Sequence, residues 1–229
     1  MACSAGAEIA QPPDITCLLA LDWREHAKAV REGLLVEDRI RQKGDGVKAT
    51  VRFAGMGGQG IIFAGIVLAR AAALYESRNR PMFAVQTQSY GPAARGESSK
   101  CDVVLSEEES FYPFVDRPDF LVVMSQPAYE RFIDQTHSST VVILEKESVE
   151  GRPDLTYYDV PAIAKARELE ERGPPNMIML GAMVGITDLV SQDSAIDAIE
   201  DVSPVDAVDG NMEAFREGVR MGRSMVYHE

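Results

Sequence analysis

Cysteine is scarce in this chain and badly spaced for metal chemistry. Among 229 residues there are three, Cys3, Cys17 and Cys101, with no C-x-x-C pair, and three scattered histidines, His26, His137 and His228. That spacing excludes a self-contained zinc or iron-sulfur site of the usual kind, so any metal or redox chemistry belongs to a partner. Long apolar runs are missing too, and none approaches the roughly eighteen residues a membrane span needs. The opening MACSAGAEIAQPPD lacks the positive n-region of a signal peptide, so we expect a cytoplasmic protein that stays out of the membrane. A basic stripe is also absent. At a net charge of −13, nucleic acid is an unsuitable partner.

What charge there is falls unevenly. Residues 48–100 carry 7 basic against 2 acidic groups, whereas residues 101–229 carry 10 against 26. The one positive block contains the stretch 53-FAGMGGQG-60, which suits either an anion site in an otherwise repelling chain or a basic face that docks on a partner. Length and a hydrophobic content of 45% allow one α/β domain plus an appendage.

Periodicity divides the chain. Residues 1–13 are small, polar and loose. From about 14 to 44, Trp23, Ala27, Val30, Leu34 and Leu35 recur at helical spacing, giving an N-terminal extension (1–47) that is a helix on its own core or an arm for another subunit. Ala49, Val51 and Phe53 then alternate with Lys48, Thr50 and Arg52, a strand that runs into Gly55. The apolar run 61–74 reads as a buried helix. Short β-branched runs at 82–85, 101–106, 120–124 and 140–144 read as strands covered on both faces. Helices are expected at 126–137, about 175–190 and about 205–226. The sum is a three-layer α/β/α Rossmann-like domain (48–229) with a largely parallel sheet.

Gly55, Gly57 and Gly60 fit G-x-G-x-x-G between a strand and a helix, where backbone N–H groups and the helix dipole favour a phosphate. An NAD site also wants a carboxylate at the end of the next strand. That strand ends in 85-VQTQSYG-91 without one, so NAD is set aside. No Gly-Lys-Ser/Thr follows, so it is not a Walker loop either. A second loop, 89-SYGPAARGESS-99, offers turns at Gly91-Pro92 and Gly96, the planar fork of Arg95, and the hydroxyls of Ser89, Tyr90, Ser98 and Ser99. It either closes over the first loop or is a surface turn in which Arg95 pairs with an acid.

Other residues read as structural. Glu107, Glu108 and Glu109 suit a solvated turn, Cys101 a buried small hydrophobe, and His137 a helix C-terminal cap. No catalytic triad emerges from the spacing, so catalysis by this chain alone is not expected.

The set 55-GMGGQG-60, 89-SYGPAARG-96, 112-YPFV-115 with 118-PD-119, and 125-SQPAY-129, followed by 176-NMIMLGAMVG-185 and 211-NMEAFREG-218, resembles the gamma subunit of 2-oxoacid:ferredoxin oxidoreductases over roughly 48–226. The resemblance implies a gamma-type domain in a cytoplasmic hetero-oligomer. Thiamine diphosphate, Mg2+ and [4Fe-4S] clusters would sit on partner subunits, thiamine-binding and ferredoxin-like, with ferredoxin or a similar carrier as electron acceptor. It implies coenzyme A as the substrate this chain helps to bind, with Gly57, Gly58, Gln59 and Gly60 as one wall and Ser89, Tyr90, Gly91, Arg95, Gly96 and Ser98 as the other. The wording Ser-Tyr-Gly-Pro leans towards 2-oxoglutarate over pyruvate and other acids. Glu97 departs from the family's Arg-Gly-Gly and would repel a phosphate unless it points outward or is paired. The competing reading is a free-standing nucleotide- or phosphate-binding regulatory module.

Overall fold

The structure is a computed structural model that describes residues 47–76, 82–89, 98–108, 113–169 and 173–226. The helical extension expected from about residue 14 lies outside the described residues. So do Tyr90, Gly91, Arg95, Gly96, Glu97, Glu109 and Tyr112.

In chain order the elements are β1 (Val47–Met56), α1 (Ile61–Arg70) running into a π-helical turn (Ala71–Tyr75), β2 (Phe83–Ser89), β3 (Ser98–Ser106), β4 (Phe120–Val123), α2 (Gln126–Phe132), β5 (Val141–Glu145), β6 (Tyr157–Val160), α3 (Ala162–Glu168), α4 (Pro175–Thr187), α5 (Gln192–Val202) and α6 (Val208–Val226). The six strands form one sheet in the order β2-β3-β1-β4-β5-β6. β1, β4, β5 and β6 pair in parallel, while β3 runs antiparallel to both β1 and β2. Five strands therefore point one way and β3 opposes them, so the largely parallel sheet takes mixed form through the hairpin that inserts β3 beside β1.

Alternation along the strands sends side chains to two cores. Val51, Phe53, Cys101, Val103, Val122 and Ile143 face the larger core with residues of α1, α4, α5 and α6. Ala54, Leu121, Val123, Val142 and Leu144 face a smaller one under α2, with Ala128, Tyr129 and Phe132. These are the three layers.

The polar member of the β1 alternation, Arg52, faces the α2 side and is only 1% exposed. Its guanidinium is held bidentately by Asp102 at 2.6 and 3.0 Å and donates to Gln135 Oε1 and to the Val115 carbonyl. A buried charge needs such partners. The Pro118-Asp119 motif has a local task as well. Asp119 Oδ2 accepts from the N–H and the hydroxyl of Thr50, both at 2.7 Å, which clasps the start of β4 to β1.

The helix that matters most for the site is α4. Twelve of its residues, Asn176 to Thr187, are buried, as suits a run that is apolar all round. It crosses α6 at backbone contact. A Cβ on Gly181 would overlap Phe215 O and come within 2.9 Å of Val219 N, and one on Gly218 would overlap Ile178 O.

Candidate functional site

The glycine loop leaves the C-terminal end of β1, where open α/β sheets place ligands. Gln59 folds back over it: Oε1 accepts from Met56 N at 2.6 Å, and Nε2 donates to Met124 O at 3.0 Å. Ser99 Oγ, from the facing register position of β3, donates to Gly55 O. Asn176 Nδ2, from the first turn of α4, donates to Gly60 O at 3.1 Å. The loop is thus fixed by side chains from β3, α4 and itself.

Two of its residues need glycine. Gly58 and Gly60 hold φ of 96° and 73°, left-handed values that side chains disfavour. Gly60 is also pressed against Asn176, so that a Cβ there would lie 2.7 Å from Asn176 Cγ. The N–H groups of Gly57, Gly58 and Gly60, and those of Ile61, Ile62 and Phe63 at the start of α1, take no acceptor among the described residues. Neither α1 nor α4 has an acidic residue in its first turn to offset the dipole. Chemically this is a set of unspent donors at a positive helix end, suited to an oxyanion.

Beside the loop opens a cavity of about 450 Å³. Gly58, Gln59 and Gly60 form one side; Phe63, Met124, Ile163 and three prolines, Pro174, Pro175 and Pro204, supply an apolar lining, with Asn176 and Asn211 as its carboxamides. Among the described residues no ionisable side chain lines it. Asn211 is tied through Nδ2 to Ser203 Oγ at 2.9 Å.

Of the second wall expected from sequence, Ser89 and Ser98 are described. They end β2 and begin β3, with Ser98 opposite Met56 and Ser89 opposite Lys100. The connection between them therefore springs from the sheet edge that carries the glycine loop. Ser98 Oγ accepts from Arg131 at 2.8 Å. Tyr90, Gly91, Arg95 and Gly96 lie outside the described residues.

Of the basic residues in the positive block, Arg78, Arg80 and Arg95 lie outside the described residues. In the positive block, Arg52 and Lys100 share Asp102, and Arg70 pairs with Asp201 at 3.1 Å. These cations are committed to the acidic remainder of the chain, and the described site relies on backbone donors. The next strand in sequence, β2, lies two places from β1 in the sheet. The parallel neighbour of β1 is β4, and it is followed by Met124 and Ser125, again without a carboxylate.

Three minor expectations can be placed. Glu107 and Glu108 are exposed. Cys101 is fully buried against α1, and burial pushes its thiol up to about 11 despite a hydrogen bond from Gln86. The carbonyls at the end of α2 and the following turn are taken by Gln135 Nε2 and Thr136 Oγ1, the role expected of His137. The residue that sequence reading missed is Asn176. Its signal was present: one amide side chain opening the otherwise apolar run 177-MIMLGAMVG-185.

Comparison with known proteins closes the matter of family. The model of the pyruvate ferredoxin/flavodoxin oxidoreductase family matches residues 50–221. The 2-oxoglutarate synthase subunit KorC of Methanocaldococcus jannaschii is 40% identical over 185 residues, 78% of this chain and 96% of that protein. The pyruvate synthase subunit PorC of Methanothermobacter thermautotrophicus is 30% identical over 172 residues, 72% of this chain and 91% of that protein. Among solved structures, the keto/oxoacid ferredoxin oxidoreductase gamma subunit from Geobacter sulfurreducens is similar at a TM-score of 0.65 and 31% identity, covering 77% of this chain and 99% of that one. The 2-oxoglutarate:ferredoxin oxidoreductase from Magnetococcus marinus, solved with 2-oxoglutarate, coenzyme A and succinyl-CoA bound, shares the fold at a TM-score of 0.63 and 21% identity, covering 77% of this chain and 31% of that one. The chain belongs to the pyruvate ferredoxin/flavodoxin oxidoreductase family, as a gamma-type subunit of 2-oxoacid:ferredoxin oxidoreductases.

Proposed function

We propose that this chain is the subunit of a cytoplasmic 2-oxoglutarate:ferredoxin oxidoreductase that helps to bind coenzyme A, in a complex that converts 2-oxoglutarate to succinyl-CoA and CO2. The observation that carries the assignment to 2-oxoglutarate is the near full-length similarity to KorC, at 40% identity, against 30% for PorC. Support for coenzyme A comes from the unspent N–H groups of Gly57, Gly58 and Gly60 and of Ile61, Ile62 and Phe63 at the start of α1. Coenzyme A brings phosphates and needs no carboxylate for a nicotinamide ribose. A protein of the same fold has been solved with it bound.

In this reading Gly57, Gly58 and Gly60 donate to a phosphate, and Gln59 holds their loop in shape. Ser89, Tyr90, Gly91, Arg95, Gly96 and Ser98 form the facing wall, with the Arg95 guanidinium as second phosphate ligand. Glu97 turns outward or pairs with a base. The thiol end reaches into a partner subunit, where the thiamine diphosphate, its Mg2+ and the [4Fe-4S] clusters reside and from which ferredoxin or a similar carrier takes the electrons.

Anaerobic affinity purification from the native host tests the assembly. Co-purifying thiamine- and iron-bearing subunits support it, and a colourless chain that binds a nucleotide alone supports the regulatory-module reading instead. For the ligand, Arg95→Ala in the assembled complex should raise KM for coenzyme A and leave KM for 2-oxoglutarate unchanged. An unchanged KM for coenzyme A removes Arg95 from the site.

A further inference from the structure

We infer that Asn176 is a positioning residue for the ligand-binding loop: its carboxamide fixes the direction of the donors at the mouth of α1. The inference rests on the coenzyme A reading of that loop. Gly60 and Ile61 share one planar, trans peptide group, in which the carbonyl of the first and the N–H of the second point in opposite directions. The Gly60 carbonyl is held twice, by Ala64 N at 3.0 Å and by Asn176 Nδ2 at 3.1 Å. Fixing that oxygen towards the helix body aims the Ile61 N–H at the loop mouth, beside the free N–H groups of Gly57, Gly58 and Gly60.

The anchor is stiff enough for the task. Asn176 is buried and opens α4, and α4 is locked on α6 by contacts between the two backbones at Gly181, Gly185, Gly218 and Gly222. There is no compliant side chain at those crossings to absorb a shift. The other end of the loop is held in a different way, through Gln59 and Ser99. Asn176 is therefore the one contact among the described residues that ties the loop to the α4–α6 pair through a side-chain hydrogen bond, across 116 positions of sequence. A loop set in advance of ligand arrival spares the ordering cost of binding.

The test uses the assembled complex with three variants: Asn176→Ala, the isosteric Asn176→Asp, which removes the donor and sets an oxygen against the Gly60 carbonyl, and Gly58→Ala. The expected result is a KM for coenzyme A raised about three- to tenfold in both Asn176 variants, the net worth of one hydrogen bond, with KM for the 2-oxoacid unchanged. Hydrogen exchange at residues 57–63 should quicken in the same variants. Should Asn176→Ala fail to assemble, Asn176→Asp carries the comparison. A role in stability alone would lower the unfolding temperature without separating the two KM values, and that result overturns the inference. If Gly58→Ala raises KM for coenzyme A and the Asn176 variants do not, Asn176 loses its role while the coenzyme A reading stands. If none of the three moves it, the loop is not the coenzyme A site and the inference falls with that reading.

Discussion

Replacing Gly181 by alanine should destabilise the chain, although alanine is the better helix former. In an isolated helix the change gains about 1 kcal/mol. Here the new methyl would overlap Phe215 O, stand 2.9 Å from Val219 N and 3.0 Å from Gly218 Cα, where ordinary contact begins near 3.4 Å. All three obstacles are backbone atoms of α6, so no rotamer change relieves them. Overpacking that flexible side chains absorb costs about 1–3 kcal/mol; against a rigid helix we take the top of that range or above it. The net loss is about 2–3 kcal/mol after the propensity gain. For a chain of this size that lowers Tm by about 4–12 °C. Thermal unfolding of the full chain followed by circular dichroism reads it directly. Gly58→Ala is the control, since a Cβ there meets nothing within 4 Å among the described residues and the left-handed φ is strained, at about 1–2 kcal/mol. A Gly181→Ala chain that melts at or above the wild-type temperature would refute the account of α4 and α6 as helices in backbone contact.

Other outcomes follow from the same geometry. Asp102→Ala strips the buried Arg52 of its bidentate partner and should cost about 3–5 kcal/mol, whereas Arg52→Met with Asp102→Leu should recover most of that loss in a denaturant titration. In a Cys3→Ser/Cys17→Ser background, Cys101 should resist iodoacetamide at pH 8: with its thiol pushed up to about 11, only about one molecule in a thousand is thiolate, and alkylation should quicken as pH rises towards that value. Rapid modification of the folded chain at pH 8 would contradict the buried setting. Gly60→Ala suffers both a left-handed alanine and overlap with Asn176; adding Asn176→Ala removes only the overlap, so a double-mutant cycle should show favourable coupling, and strict additivity would count against the contact.

Much of the fold was legible because its signals were strong. The strand, glycine turn and helix around Phe53–Gly60 combine alternation, glycine spacing and an apolar run, and each stands where expected. The elements that sequence reading passed over have weak patterns. β6 is four residues long with Asp159 in it, α3 mixes alanines with charges, and α5 builds its buried face from Ala195, Ala198 and Ile199 among acids. Its cap, Ser191 accepting from Ser194 N, was the available cue. α4, expected to about residue 190, stops at Thr187 because Asp188 turns left-handed with φ of 47°.

The site was legible in part for a similar reason. A glycine loop is a local word, readable from neighbouring residues. The sheet order that puts β3 and β4 beside it, the Asn176 contact from 116 residues away and the pairing of Arg52 and Arg70 with the distant acids Asp102 and Asp201 are products of tertiary structure. No spacing rule along the chain encodes them.

The hairpin that inserts β3 leaves β2 at the margin of the sheet, and among the described residues no strand pairs with its outer side. That margin reads FAVQTQS, without a charge or a proline to repel a newcomer, and Phe83 at its start is exposed. Unpaired backbone of this kind is a template for adding strands from other molecules. The practical consequence concerns handling: when the chain is concentrated, frozen or stored by itself, β2 is where fibrous association would start, and a lysine at Thr87 is the first substitution to try in making a durable preparation.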